Sequence, residues 1–254
     1  VARAVTYALD APADITARIF EKTSAGTRFV IRLKRSPAME FDGEIHVSLS
    51  LIGRHNVANA LAAAGAALAM GISPEAVGRG LGAAEAVRGR LEQVAVDAPF
   101  GIYVDYAHTD DALAAVLAAL RPLTRGRLIC VFGCGGDRDT AKRPLMGAVA
   151  ARLSDLVVVT SDNPRSEDPD DIIAEIRLGM ESPAEADQLR HRGISDRAAA
   201  NGYAVRQAEP GDAVVIAGKG HESHQLIGDE RRPFDDRRVA RAALGRRRAG
   251  IGCA

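Results

Sequence analysis

Charge of one sign is missing from this chain: 33 basic residues balance 33 acidic ones among 254. Without net charge there is no global field to draw nucleic acid or an anionic membrane surface, so neither partner is expected. The one basic run, Arg246-Arg247-Arg248, reads as a solvated end. Cysteine is also scarce. Cys130, Cys134 and Cys253 show no metal-ligand spacing, which excludes a cysteine metal site and suits a reducing compartment. No apolar stretch reaches the roughly 18 uncharged residues of a membrane span, and no signal peptide is recognisable, so a cytoplasmic protein is expected. The sequence contains no Gly-x-x-x-x-Gly-Lys-Ser/Thr phosphate loop, and no serine in a Gly-x-Ser-x-Gly nucleophile elbow. An initiator methionine is absent too. The chain opens on Val1, and Arg3–Leu9 already reads as a strand in mid-domain, so a piece of a longer protein is expected.

What is present is ordinary for a globular protein: 47% hydrophobic and 26% charged residues, enough for one large or two modest domains. Residues 1–50 alternate apolar and polar over Arg3–Leu9, Thr27–Leu33 and Glu44–Leu51, broken by Pro12, Pro37 and Asp42-Gly43, which predicts antiparallel hairpins. Asn56–Met70 is alanine-rich with apolar residues on a helical period and stops at Gly71. Ser73-Pro74-Glu75 then opens a second helix, with Ser73 as cap and Pro74 at its first position. The Gly-Arg segment at 88–90 reads as a linker, and a domain boundary is expected near residue 92.

Beyond it the pattern alternates. Strands are predicted at Ile102–Asp105, Arg127–Phe132, Leu156–Thr160 and Ala213–Ala217. Helices are predicted near Asp110–Leu120, Pro144–Leu153, Asp170–Met180, Ser195–Ala208 and Asp236–Leu244. Such alternation implies a mostly parallel sheet covered on both faces, an α/β fold. Residues 183–194 carry little pattern and read as loop with at most a weak strand.

In an open α/β sheet, ligands bind at the carboxyl ends of strands, and four polar strand ends stand out. After Leu156–Thr160 comes Asp162-Asn163-Pro164-Arg165: a guanidinium that can fork onto a carboxylate, and an acid that can hold an ammonium. Together they suit a small zwitterion such as a free amino acid. Gly133-Cys134-Gly135-Gly136-Asp137-Arg138-Asp139 follows the strand before it; its glycines either present backbone N–H groups to an anion or simply make a strand-to-helix turn. Arg138, between two aspartates, is either a ligand group or neutralised locally. Ala217-Gly218-Lys219-Gly220-His221-Glu222 is either a surface loop or a means of bringing a backbone carbonyl and the Glu222 carboxylate to a cation. Asp105-Tyr106-Ala107-His108-Thr109 places Asp105 where it can bind ribose hydroxyls, with Thr109 as a helix cap. Asn56 and Asn59 open a helix, where asparagine is a common cap. These residues alone do not fix a reaction class.

The ordered set is more specific than any member. Gly53–Ala63, Arg88-Gly89-Arg90-Leu91-Glu92, Asp105–Thr109, Phe132–Asp139, Lys142–Gly147, Asp162–Pro169 and Ala217–Glu222, in this order, closely resemble the Mur ligases of peptidoglycan synthesis. Within that family they resemble the members that add 2,6-diaminopimelate. The resemblance reaches about residue 244. It implies a Rossmann-like C-terminal ligase domain over 93–254 with a mostly parallel sheet, preceded over 1–92 by the back portion of the central ATPase domain. It implies an ATP-dependent amide ligase that joins meso-diaminopimelate to UDP-N-acetylmuramoyl-L-alanyl-D-glutamate. By resemblance, Arg138, Asp162, Asn163, Arg165, Gly218 and Glu222 bind meso-diaminopimelate. Asn56 corresponds to an adenine contact, Arg90 and Asp105 to contacts with the nucleotide ribose or phosphate, and His108 lies in the same motif. The principal Mg²⁺ and ATP-phosphate ligands are expected in a preceding part, so the chain alone is not expected to complete the reaction. Asp110 stands where the family has proline, which is expected to loosen the start of the following helix and add negative charge near the nucleotide. Two other readings remain open: a non-catalytic amino-acid-binding module, and a folylpolyglutamate-type ligase, against which the Asp162–Arg165 signature argues.

Overall fold

The computed structural model describes residues 4–94, 97–180 and 190–250. The chain divides into two compact units, Val1–Ala86 and Val87–Ala254.

In the first unit, β1 (Tyr7–Ala8), β2 (Ile15–Thr23), β3 (Gly26–Leu33) and β4 (Gly43–Leu49) form one sheet in that order, followed by α1 (Arg54–Ala69) and α2 (Pro74–Gly82). β4 shows the cause plainly. Ile45, Val47 and Leu49 are buried while Glu44, His46 and Ser48 face outward, the period of two that places one side of a strand against a core. That core joins Phe29, Ile31 and Val47 to Val57, Leu61 and Leu68 on α1.

The β2–β3–β4 pairings are antiparallel as expected, but β1 pairs parallel with β2 and is far shorter than Arg3–Leu9. Thr6 instead turns to the Asp14 carboxylate, which accepts both its N–H and its hydroxyl at 2.8 Å. Ser73 caps α2 by accepting from Ala76 N. The capping reading of Asn56 is corrected. Gly53 is the N-cap of α1, with no side-chain bond, and the Asn56 amide donates to the Ile52 carbonyl at 2.8 Å.

The second unit runs β5 (Glu92–Gln93), β6 (Gly101–Asp105), α3 (Asp110–Leu120), a 3-10 turn, β7 (Leu128–Phe132), α4 (Lys142–Leu153), β8 (Leu156–Val159), α5 (Pro169–Leu178), β9 (Arg190–Gly193), α6 (Arg197–Gln207), β10 (Ala213–Ala217), β11 (His224–Ile227), β12 (Glu230–Pro233) and α7 (Asp236–Arg248). Its main sheet has the order β5-β6-β10-β7-β8-β9, parallel except for β5. β7, β8 and β10 are buried along their whole length, as unbroken apolar runs in a parallel sheet must be. The architecture is α/β with a mostly parallel sheet.

Residues 88–90 are not a free linker: a Cβ on Gly89 would lie 2.2 Å from His221 N, so this segment is pressed against the loop after β10. Of the stretch 183–194, residues 190–193 form an edge strand paired with β8, and 183–189 lie outside the described residues. α3 begins at Asp110 itself. Thr109 caps it, accepting from Ala112 N, and Asp110 and Asp111 fill its first turn, where carboxylates complement the positive end of the helix. Among the described residues no helix is long and apolar enough to cross a membrane.

Candidate ligand site at the carboxyl edge of the sheet

The order β6-β10-β7-β8 sets four polar strand ends side by side on one edge. Chain returns after β7 and β8 touch through backbone. A Cβ on Gly133 would meet the Thr160 carbonyl at 2.0 Å, and Gly136 N donates to the Asn163 carbonyl at 2.9 Å. Glycine is therefore required for this closeness, whatever else the loop does. From β10, Gly218 adopts φ of 111°, open to glycine and rarely to other residues, and its Cα faces the Asp162 carboxylate.

Asp162, Asn163 and Glu222 are brought together around Lys219, which is fully buried. Lys219 Nζ donates to Asn163 Oδ1 and Glu222 Oε2 at 2.9 Å each, with Asp162 Oδ1 at 3.4 Å. Asn163 Nδ2 donates to the same Glu222 oxygen at 3.1 Å, and Asn163 Oδ1 also accepts from Leu226 N. Gln225 secures the strand end from outside by donating to Ser161 Oγ and the Asp162 carbonyl. Burial works to raise the Glu222 pKa, but the Lys219 and Asn163 hydrogen bonds outweigh it and hold the carboxyl below its ordinary value.

Arg165 lies beside this cluster in sequence and carries the opposite charge. Its φ of 54° is left-handed, a strained setting for a side-chain-bearing residue. It is held there by a bridge to Ile227, with Arg165 N donating to the Leu226 carbonyl and Gly228 N to the Arg165 carbonyl. The guanidinium donates to the Gly136 carbonyl at 2.6 Å. Arg138, exposed, donates to the Asp137 carbonyl. The Arg165 guanidinium and the aliphatic stem of Arg138 border Gly135, whose Cβ would lie 3.0 Å from Arg165 Nη1 and 3.8 Å from Arg138 Cγ. Among the described residues neither arginine forms a short ion pair, yet both lie close enough to Asp137 to act on its carboxylate. Asp137 accepts from the Ser166 N–H and hydroxyl, and these bonds, followed by the two arginine charges, hold its carboxyl below the ordinary value; Asp139 accepts from Ala141 N.

Of the four residues matched to the nucleotide, three lie in the second unit. Arg90 covers the Tyr106 ring at 5.0 Å, and His108 meets the same ring edge-on at 4.7 Å while its Nδ1 contacts the Tyr106 carbonyl. Asp105 is buried and spends one carboxylate oxygen on Leu91 N and the other on Ala107 N, both at 2.7 Å. Asn56 lies in the first unit. No group of three or more His, Cys, Asp or Glu suited to a metal exists among the described residues. Cysteine chemistry is also unsupported: burial pushes the Cys130 and Cys134 thiols up to about 12, leaving both protonated near neutrality.

Sequence reasoning misses the buried cations beneath the site. Arg197 is buried and donates to the Ser161 and Ala217 carbonyls, the residues just before Asp162 and Gly218, while pairing with buried Asp236 through two 2.9 Å bonds. Arg143, also buried, reaches Glu167, Glu175 and the Gly135 carbonyl. The lysine between two glycines directly after an apolar strand is the one local signal for Lys219.

Residues 89–220 match the family described as Mur ligase, glutamate ligase domain, and residues 1–67 match the Mur ligase middle domain. A UDP-N-acetylmuramoyl-L-alanyl-D-glutamate--2,6-diaminopimelate ligase from Gloeobacter violaceus is 53% identical over 204 residues, covering 78% of this chain and 40% of the relative. A protein of the same name from Geobacillus kaustophilus is 44% identical over 243 residues, 96% of this chain and 47% of the relative. A solved structure of a ligase with that name superposes with a TM-score of 0.65 at 37% identity, over 96% of this chain and 48% of that one. The chain thus spans less than half the length of these relatives.

Proposed function

The chain belongs to the Mur ligase family, and on that premise we propose that it presents meso-diaminopimelate for ATP-dependent amide formation on UDP-N-acetylmuramoyl-L-alanyl-D-glutamate, in the cytoplasm. Residues 1–92 act as the back portion of the central ATPase domain and 93–254 as the C-terminal domain. The observation that carries this reading is the pairing of opposite charges along one sheet edge: Asp162 and Glu222 for an ammonium, and Arg165 and Arg138, without short ion pairs among the described residues, for a carboxylate. The chemistry of that edge is a zwitterion's chemistry.

ATP, where bound, would supply a phosphoryl group to activate the acceptor carboxylate as an acyl phosphate with release of ADP, so that the diaminopimelate amine could form the amide with loss of phosphate and a proton. This chain's part is positioning. Asp162, Asn163 and Glu222 orient the amino-acid head group, Gly218 gives it close backbone approach, and the arginines select the extra carboxylate that distinguishes diaminopimelate from lysine. We assign an adenine contact to Asn56 in the first unit and, separately, a nucleotide ribose or phosphate contact to Arg90 in the second, where His108 lies in the same motif as Asp105. Asp105 fits chiefly as a brace for Leu91 and Ala107. Phosphate and Mg²⁺ fit poorly, since the sequence has no phosphate loop and the described residues offer no acidic cluster.

Arg165→Ala tests the reading. A charge-assisted bond is worth roughly 1.5–3 kcal/mol, so calorimetry should show meso-diaminopimelate affinity falling about 10- to 150-fold while lysine affinity stays put. Equal losses for both ligands would refute the assignment of Arg165 to the second carboxylate.

A further inference from the structure

We propose that Lys219 is a positioning residue that sets the charge of this pocket and aims Glu222, so that two carboxylates present one net negative charge to a single ammonium. The proposal rests on the reading of the pocket as an amino-acid site. An ammonium has three N–H donors, and Lys219 spends them on three side-chain oxygens, Asn163 Oδ1, Glu222 Oε2 and Asp162 Oδ1. None remains for a ligand, and burial shuts the group away from solvent. Lys219 therefore acts on the ligand only through the groups it holds.

Those groups are its consequence. One Glu222 oxygen is fixed by Lys219 and Asn163, which leaves Oε1 to meet the ligand. The Asn163 oxygen, tied to Lys219 and Leu226 N, forces its amide nitrogen toward Glu222. The charged and titratable groups around Glu222 are Lys219 on its own loop, Asp162 at the end of β8, His224 on β11 and Arg197 on α6. Arg197 is matched by Asp236, so Lys219 is the cation that offsets the two pocket carboxylates. Without it, burial acts on Glu222 with its main opposing charge removed, which pushes that carboxyl towards its protonated form. A pocket in that state offers the ammonium a different charge at each pH and an unaimed glutamate.

Carboxyl-carbon NMR titration of the chain and of Lys219→Met, with calorimetric titration by meso-diaminopimelate at pH 7, decides the matter. In the unsubstituted chain Glu222 should titrate below an ordinary glutamate. In Lys219→Met it should move up by about 1–3 pH units, with affinity at least about tenfold weaker. An unmoved Glu222 titration in the variant overturns the proposal. So does a Glu222 that titrates at or above an ordinary glutamate in the unsubstituted chain, a result available even if the variant fails to fold. Failure of the unsubstituted chain to bind meso-diaminopimelate, with Glu222 titrating as expected, counts against the substrate instead and supports the charge-setting role of Lys219.

Discussion

Arg197→Met is expected to destabilise the second unit by about 3–5 kcal/mol, the cost of leaving a buried charge without its partner. Against a domain total of roughly 5–15 kcal/mol, that loss threatens folding. The cause is specific. Arg197 and Asp236 side chains are both wholly inaccessible, and once the guanidinium is gone the Asp236 carboxylate keeps, among the described residues, the Asn201 amide as its side-chain donor. The Ser161 and Ala217 carbonyls lose a donor at the same moment. Urea unfolding measures the effect, and Arg197→Met/Asp236→Asn separates its parts. Removing the stranded charge should recover part of the stability, whereas the two carbonyls stay unsatisfied. A loss below about 1 kcal/mol in the single variant would mean that the pair contributes no more than an exposed one. Because Ser161 and Ala217 precede Asp162 and Gly218, the same variant should loosen the site even where the fold survives.

How much of this is legible in the sequence depends on whether the physics is local. β7, β8 and β10 are apolar runs bounded by glycine or polar residues, and burial on both faces leaves that mark in any parallel sheet. β9, read as Arg190-His191-Arg192-Gly193, lies at the sheet's edge and carries no such mark. The hairpin of β11 and β12 is missed for a similar reason: β12 is exposed throughout, so nothing in its pattern demands a strand. Yet this hairpin holds Arg165 in its left-handed conformation. The site divides the same way. Asp162–Arg165 announces itself as a polar tail on an apolar strand. The buried cations do not, since lysine and arginine are normally exposed and, Glu222 beside Lys219 apart, their partners lie far off in sequence: Lys219 meets Asn163 across 56 residues and Arg197 meets Asp236 across 39. Long-range pairing has no period to read.

The glycine-rich turn after β7 makes the second large prediction, because there the constraint is steric and comes from backbone. A Cβ on Gly136 would stand 1.9 Å from the Pro164 carbonyl oxygen and 2.8 Å from its carbon, atoms that cannot swing aside as a flexible side chain would. Gly136→Ala must therefore part the two loops. In doing so it strains the Gly136 N–H bond to the Asn163 carbonyl and withdraws the carbonyl that receives the Arg165 guanidinium. A displacement of about 1 Å in a positioning group costs on the order of 100-fold, and meso-diaminopimelate affinity should fall by that factor. Gly245→Ala is the control: its Cβ would meet nothing within 4 Å on α7, and replacing a helical glycine should add about 0.5–1 kcal/mol of stability with affinity unchanged. Undiminished affinity in Gly136→Ala would show that the ligand does not depend on the contact between the loops after β7 and β8, and the placement of its carboxylate between Arg138 and Arg165 would have to be abandoned.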